Sequence, residues 1–234
     1  MPSRRTITKP RPDRLTPVPE VRIGLPFSGK PETVTLNYMA SQGWTGFHTE
    51  GNLIRNLFRA LAFPALCRLA PFQELSDNMP HCHAIHYLVQ AVAGTLGPLH
   101  TNRFNPASPE ETVELLHQCI EDRLSSDLSE TAKDYASIAE WNAYLGGKAP
   151  PVCVDVRTFI RPLPNRFWHG LLDAYAYGQH DLINGWPDLE LSNGTQVMLI
   201  EVKTSDSLSG FQRAAIRSLT ELGVNCQVIR LIKA

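Results

Sequence analysis

The chain has 234 residues, 43% of them hydrophobic and 19% charged, with 22 Lys and Arg against 23 Asp and Glu for a net charge of −1. That is material for one sizeable core; it excludes a wholly disordered chain and weakens a role in coating nucleic acid by charge alone, but not a local basic patch. No stretch of about 18 apolar residues is present, and the start Met1-Pro2-Ser3-Arg4-Arg5-Thr6 lacks the apolar segment of a secretory signal. A cytoplasmic protein without a membrane partner is expected. The scattered cysteines Cys67, Cys82, Cys119, Cys153 and Cys226 show no Cys-x-x-Cys spacing, which reads as reduced thiols and not a disulfide framework or zinc ribbon.

Residues 1 to about 35 carry Arg4, Arg5, Lys9, Arg11 and Arg14 among the helix-interrupting Pro10, Pro12, Pro17, Pro19 and Pro26, which predicts an extended basic arm. Leu53, Ile54, Leu57, Phe58 and Leu61 then repeat at helical spacing, predicting a helix from Glu50 to Ala62 that Pro64 kinks or ends. Residues 71–107 hold Pro and Gly around a short apolar segment, Ile85 to Leu96. Ser108-Pro109-Glu110-Glu111 opens a helix to about Leu124 with a capping box and Pro at its first position. Ser129 opens another toward Tyr144, stopped by Gly146-Gly147, and Asn165 to Tyr177 is an aromatic-rich helical segment.

The C-terminal stretch alternates as Asp188-Leu189-Glu190-Leu191, turns at Ser192-Asn193-Gly194 and continues as the strand Gln196 to Lys203. Ser207 or Ser209 caps a helix through Leu222, Gly223 stops it, and Val224 to Ile232 is a last strand. The expected fold class is α/β: a small mixed sheet flanked by helices, behind a mainly helical N-terminal two-thirds. The expected division is an arm at 1–35 and one domain at 36–234, helical over 36–180 and carrying a hairpin-helix-strand core at 181–234.

Glu201 and Lys203 are two apart on a strand and leave the same face. Asp188 starts the partner strand, near cross-strand register with Glu201. Two facing carboxylates repel, and an oxygen-loving divalent cation, Mg²⁺ or Mn²⁺, is a natural partner, taking an oxygen from each and the Val202 carbonyl. A lysine beside that cation can orient water and offset charge developing on a phosphate. The spacing equally fits a salt-bridged Glu–Lys pair on an exposed strand edge, with Asp188 as a turn residue. His81-Cys82-His83 with His86 has metal-like spacing but no completing ligands, and reads rather as surface histidines beside a buried thiol. Trp168-His169 with Tyr175 and Tyr177 fits a base-stacking surface or a core. No P-loop or dinucleotide fingerprint points to a nucleotide cofactor.

The strings Gly185-Trp186-Pro187-Asp188-Leu189, Ile200-Glu201-Val202-Lys203 and Asp206-Ser207-Leu208-Ser209-Gly210-Phe211-Gln212 resemble the PD-(D/E)XK nuclease superfamily, and more narrowly its VRR-NUC family. Gly46-Phe47-His48-Thr49-Glu50-Gly51-Asn52 before an apolar helix resembles the His-x-Glu-Gly element of the Fanconi-associated nuclease branch. Leu99-His100-Thr101-Asn102-Arg103-Phe104 and the helix at 109–124 resemble that branch more thinly. The resemblance implies a restriction-endonuclease-like fold and a metal-dependent DNA endonuclease. It makes Asp188, Glu201 and Glu50 metal ligands with Val202 beside them, Lys203 the catalytic lysine, and Gln212 an active-site or DNA contact. His48, within the same element, is a candidate substrate-binding residue with Gln212, and Arg213 and Arg217 are candidate contributors to a DNA groove. The loop Thr204-Ser205-Asp206-Ser207 lacks the glycines and the basic residue common in the family, which leaves phosphate contact there unsupported.

The expected role is an antibacterial DNase toxin of the kind delivered by type VI secretion, with a cognate immunity protein as partner. The alternatives are a repair or recombination nuclease acting on flaps or branched DNA, and a non-catalytic DNA- or protein-binding module with a nuclease fold.

Overall fold

A computed structural model describes residues 18–25, 29–68, 80–81, 84, 109–145, 151–177, 182 and 184–233. Five strands form one mixed sheet in the order β1-β5-β4-β3-β2. They are β1 (Glu20–Leu25), β2 (Thr45–His48), β3 (Leu189–Ser192), β4 (Val197–Lys203) and β5 (Asn225–Lys233). β1, β5 and β4 run parallel, while β3 and β2 continue the sheet antiparallel. The helices are α1 (Pro31–Ser41), α2 (Asn52–Leu66), α3 (Pro109–Ser125), α4 (Ser129–Tyr144), α5 (Val156–Ile160), α6 (Asn165–Ala176) and α7 (Gly210–Glu221).

Both faces of the sheet are covered. Leu189, Leu191, Met198, Ile200, Val202, Ile229 and Leu231 pack with Met39, Val34, Leu36 and Tyr38 of α1. Val197, Leu199, Cys226 and Val228 join a larger core with α2, α3, α4, α6 and α7. Every residue of β3 and β4 is consequently buried, which is why β4 reads as a near-continuous apolar run until its last three positions. Trp168 and Tyr175 are fully buried, so they are core, while Tyr177 is 63% exposed. Cys67, Cys119, Cys153 and Cys226 are free thiols.

The predicted C-terminal order of strand, hairpin, strand, helix and strand is present. Two expectations are corrected. The arm expected over residues 1–35 does not extend that far: residues 20–25 pair with β5, because Val21, Ile23 and Leu25 supply an alternating strand. Pro31 starts α1, where its missing N–H costs nothing. Residues 1–17 lie outside the described residues. Of the kink or end expected at Pro64, the end does not occur, since α2 runs on to Leu66. Nearly every side chain from Leu53 to Leu66 is buried, and that packing outweighs one lost backbone hydrogen bond. The apolar segment at 85–96 and the string Leu99 to Phe104 lie outside the described residues.

Candidate active site

The site begins with the β3–β4 turn. Asn193 Oδ1 accepts from the backbone N–H groups of Thr195 at 3.0 Å and Gln196 at 2.8 Å, and Gly194 takes the left-handed conformation with φ +84°. This turn sets Leu189 against Ile200, and one further step along that register puts Asp188 opposite Glu201. The Val202 N–H donates to Asp188 Oδ2 at 2.8 Å, locking the carboxylate at the end of the hairpin.

Glu201 is fully buried. Its Oε1 accepts from Lys203 Nζ at 2.8 Å and from Gln212 Nε2, while its Oε2 is buried with no partner. Lys203 Nζ also lies 3.0 Å from Asp206 Oδ2. Gln212 is positioned by a capping box: Ser209 caps α7 and receives the Gln212 N–H, while Gln212 Oε1 accepts from the Ser209 N–H. The same side chain that closes the helix start therefore reaches Glu201. The segment leading into Asp188 abuts that helix start because Gly185, at φ +79°, allows it; a Cβ there would stand 2.6 Å from the Phe211 carbonyl carbon.

Electrostatics follow from this crowding. Burial first and nearby Asp188 second raise the Glu201 carboxyl, Lys203 opposes them, and the net pKa is about 7. Burial also raises Asp188 against the Val202 N–H and Lys203, with Glu32 adding repulsion. Burial works against the Lys203 ammonium, but Glu201 and Asp206 outweigh it and its pKa lies above the ordinary lysine value. The pair is thus a buried ion pair beside a second carboxylate that, among the described residues, has no lysine of its own within salt-bridge distance.

Ligand-type atoms of Glu32, His48 and Asp188 lie within 4.8 Å of one another. Glu32 comes from the first turn of α1 and His48 from the end of β2. The sequence reading missed Glu32 because it placed residues to about 35 in the arm; Pro31-Glu32 as a helix-opening pair was the available signal. Glu50 and Glu201 are not in this gathered set. Glu50 adopts φ +50°, its backbone N–H donates to the Asp188 carbonyl at 3.3 Å, and its Oε1 is 3.7 Å from His48 Nε2. It flanks the site through His48 and the Asp188 backbone. Arg213 and Arg217 are partly exposed on α7, the helix that begins at the site.

A further carboxylate was read only as part of the strand alternation. Glu190 is fully buried, its Oε1 accepts the Ile54 N–H at 2.9 Å, and its Oε2 has no partner. Burial pushes it up to about 7 despite backbone donors at the start of α2. It caps the start of α2 from across the fold, beside the local Thr49 Oγ1 that accepts the Leu53 N–H at 3.3 Å, because the N-cap Gly51 has no side chain to do so. Of the His81-Cys82-His83 and His86 group, Cys82, His83 and His86 lie outside the described residues. His81 stacks on Phe63 with centroids 4.1 Å apart and pairs with Asp134 at 3.1 Å.

The donor set suits a hard divalent cation. Asp188 and Glu32 offer carboxylate oxygens and His48 a nitrogen at one place, and Glu201, opposite Asp188 in the hairpin register, carries an unpartnered Oε2. An orphaned buried oxygen beside a second carboxylate is the kind of atom such a cation would satisfy.

No family model and no curated protein matches the sequence. Among solved structures, a crystal structure of paFAN1 bound to 2-nt 5′-flap DNA with a gap aligns at TM-score 0.62 and 14% identity, over 97% of this chain and 39% of that one. The fold is shared with paFAN1. A second crystal structure, of paFAN1 bound to 1-nt 5′-flap DNA with a gap, aligns at TM-score 0.57 and 16% identity, covering 93% of this chain and 38% of the other. The resemblance to the Fanconi-associated branch is therefore matched by the fold. The chain spans well under half of paFAN1 in either structure. Among the described residues, no helix is long and apolar enough to cross a membrane.

Proposed function

We propose that the chain is a divalent-metal-dependent deoxyribonuclease that hydrolyses phosphodiester bonds in flapped or branched DNA. The observation that carries this reading is Glu201: buried, held on one oxygen by Lys203 and Gln212, with its other oxygen unpartnered and Asp188 facing it across the hairpin. Glu190 also keeps an orphaned oxygen, but only Glu201 combines one with a facing carboxylate and a lysine on its other oxygen.

Asp188 and Glu201 hold the cation, Glu32 and His48 complete its surroundings, and Glu50 positions His48. Bound there, Mg²⁺ or Mn²⁺ would polarise the scissile phosphate and favour hydroxide over water. Lys203 orients the attacking water and offsets charge on the phosphate oxygens, with Asp206 and Glu201 fixing its Nζ. Gln212 keeps Glu201 aimed, and Arg213 and Arg217 contact the DNA backbone along α7. DNA is the partner. The preference for flaps is supported by the DNA on which paFAN1 was crystallised.

The delivered-toxin role and its immunity protein draw no support from the fold or the comparisons, but they make a different prediction. Purified protein is given a labelled 5′-flap, a linear duplex of the same sequence and supercoiled plasmid with Mn²⁺. Preferred cutting of the flap supports the branched-DNA reading; equal, indiscriminate degradation of all three would move the reading to the toxin.

A further inference from the structure

α3 and α6 run side by side away from the acidic site and contribute no residue to it. His117 and Glu121 lie one turn apart on α3, and His169 and Asp173 one turn apart on α6. The four interlock crosswise. His117 Nε2 lies 2.9 Å from Asp173 Oδ1, and His169 Nε2 lies 3.0 Å from Glu121 Oε2. Asn165 Nδ2 donates to the same Glu121 oxygen at 3.5 Å. The remaining ring nitrogens, His117 Nδ1 and His169 Nδ1, face each other at 2.8 Å.

This pattern fixes the tautomers. A carboxylate oxygen only accepts, so each Nε2 carries its hydrogen toward its carboxylate. Both Nδ1 atoms then present lone pairs to each other at hydrogen-bond distance, which is repulsive unless something positive lies between them. A histidine held by a carboxylate on one nitrogen, with the other free and pointing at a common centre, is the arrangement that outer-shell carboxylates impose on metal-binding imidazoles. Glu121 and Asp173, each about half exposed, polarise the two rings through their Nε2–H groups and make both Nδ1 atoms better donors to a cation. The histidine side chains are 30% and 26% exposed, so water can fill the remaining positions.

We infer that His117 Nδ1 and His169 Nδ1 form a binding site for an imidazole-preferring divalent transition-metal ion such as Zn²⁺, clamping α3 to α6. Two nitrogens on a tetrahedral zinc ion stand about 3.3 Å apart, so the rings open by about half an ångström on binding. Nitrogen ligands separate this site from the oxygen-rich one, which suits Mg²⁺ or Mn²⁺. The inference stands independently of the proposed nuclease activity.

The test measures Zn²⁺ binding by calorimetry and equilibrium dialysis in millimolar Mg²⁺, on the full chain carrying Asp188→Asn to weaken the acidic site. One Zn²⁺ per chain is expected. His117→Gln and His169→Gln should each weaken binding at least 100-fold, and zinc should raise the melting temperature of the Asp188→Asn chain but not of either histidine variant. Glu121→Gln keeps both ligand nitrogens and should weaken binding roughly 10- to 100-fold; this holds the test open if a histidine variant folds poorly. Absence of bound Zn²⁺ with both histidines intact, or equal affinity in the histidine and Glu121 variants, would overturn the inference and leave a shared proton as the link between the rings.

Discussion

Lys203 Nζ and Glu201 Oε1 sit 2.8 Å apart on one face of β4, and the second Glu201 oxygen is buried without a partner. The ammonium neutralises half of what the carboxylate can do and leaves the other half free. Lysine and cation can therefore act on the same carboxylate without competing for an oxygen.

Replacing Lys203 separates these roles. Lys203→Ala leaves Asp188, Glu32 and His48 in place, so Mn²⁺ affinity measured by calorimetry at pH 8.5 should stay within about tenfold, while turnover falls by roughly 10²- to 10⁴-fold. Retained turnover would remove Lys203 from the mechanism.

Cation binding should depend on pH through Glu201. Its carboxyl, raised to about 7 by burial and by Asp188, holds a proton below that pH, and the proton competes with the cation. Affinity for Mn²⁺ should therefore weaken as pH falls from 8 to 6, by at most about tenfold per unit for this one group. A flat profile over that range would mean Glu201 is not a ligand.

Gln212 is both a helix-capping residue and the second donor to Glu201. Ser209→Ala removes the cap and should cost about 1 kcal/mol of stability, with activity per folded molecule largely kept. Gln212→Ala keeps the Ser209 cap on the backbone N–H of residue 212 but loses the reciprocal acceptor for the Ser209 N–H and the Glu201 contact. It should cost no more than Ser209→Ala in thermal melting but fall below it in cleavage rate.

Glu190 makes a stability prediction. Its folded-state pKa, about 7, lies above the ordinary 4.5 because of burial, so the native state keeps a proton that the unfolded chain releases. That stabilisation is complete below about pH 4.5 and is lost as pH rises through 7. Glu190→Gln keeps the acceptor for the Ile54 N–H and removes the charge. At pH 8 it should gain stability, by no more than about 3 kcal/mol less the cost of an unpaired amide, and near pH 4.5 it should gain little. Denaturant melts at the two pH values measure the difference.

The hairpin was legible because each signal was local: Asn193-Gly194 fixes a turn, the turn fixes the register, and the register brings Asp188 to Glu201. The α7 start was equally readable, since Ser209 and Gln212 stand at capping-box spacing. Glu32 was not, because what brings it to Asp188 is α1 packing across the sheet, a contact between residues 156 apart in sequence. The edge strand β1 was hidden by the prolines on either side of it, which dominate the local pattern although the six residues between them are free to pair. At Pro64, of the kink or end that a local rule allows, the end gives way to burial of the whole helix around it. Glu190 looked like one more polar position in an alternating strand, and only the approach of the α2 N-terminus makes it a cap.

The measurement that tests the central claim most directly is cleavage of a labelled 5′-flap by the purified chain with Mn²⁺, beside an EDTA control and Glu201→Ala of matched folded fraction. The account predicts cutting that EDTA abolishes and Glu201→Ala reduces by at least about 10²-fold. Cutting that persists in Glu201→Ala, or a folded wild-type chain that cuts no DNA in any divalent metal, would contradict it.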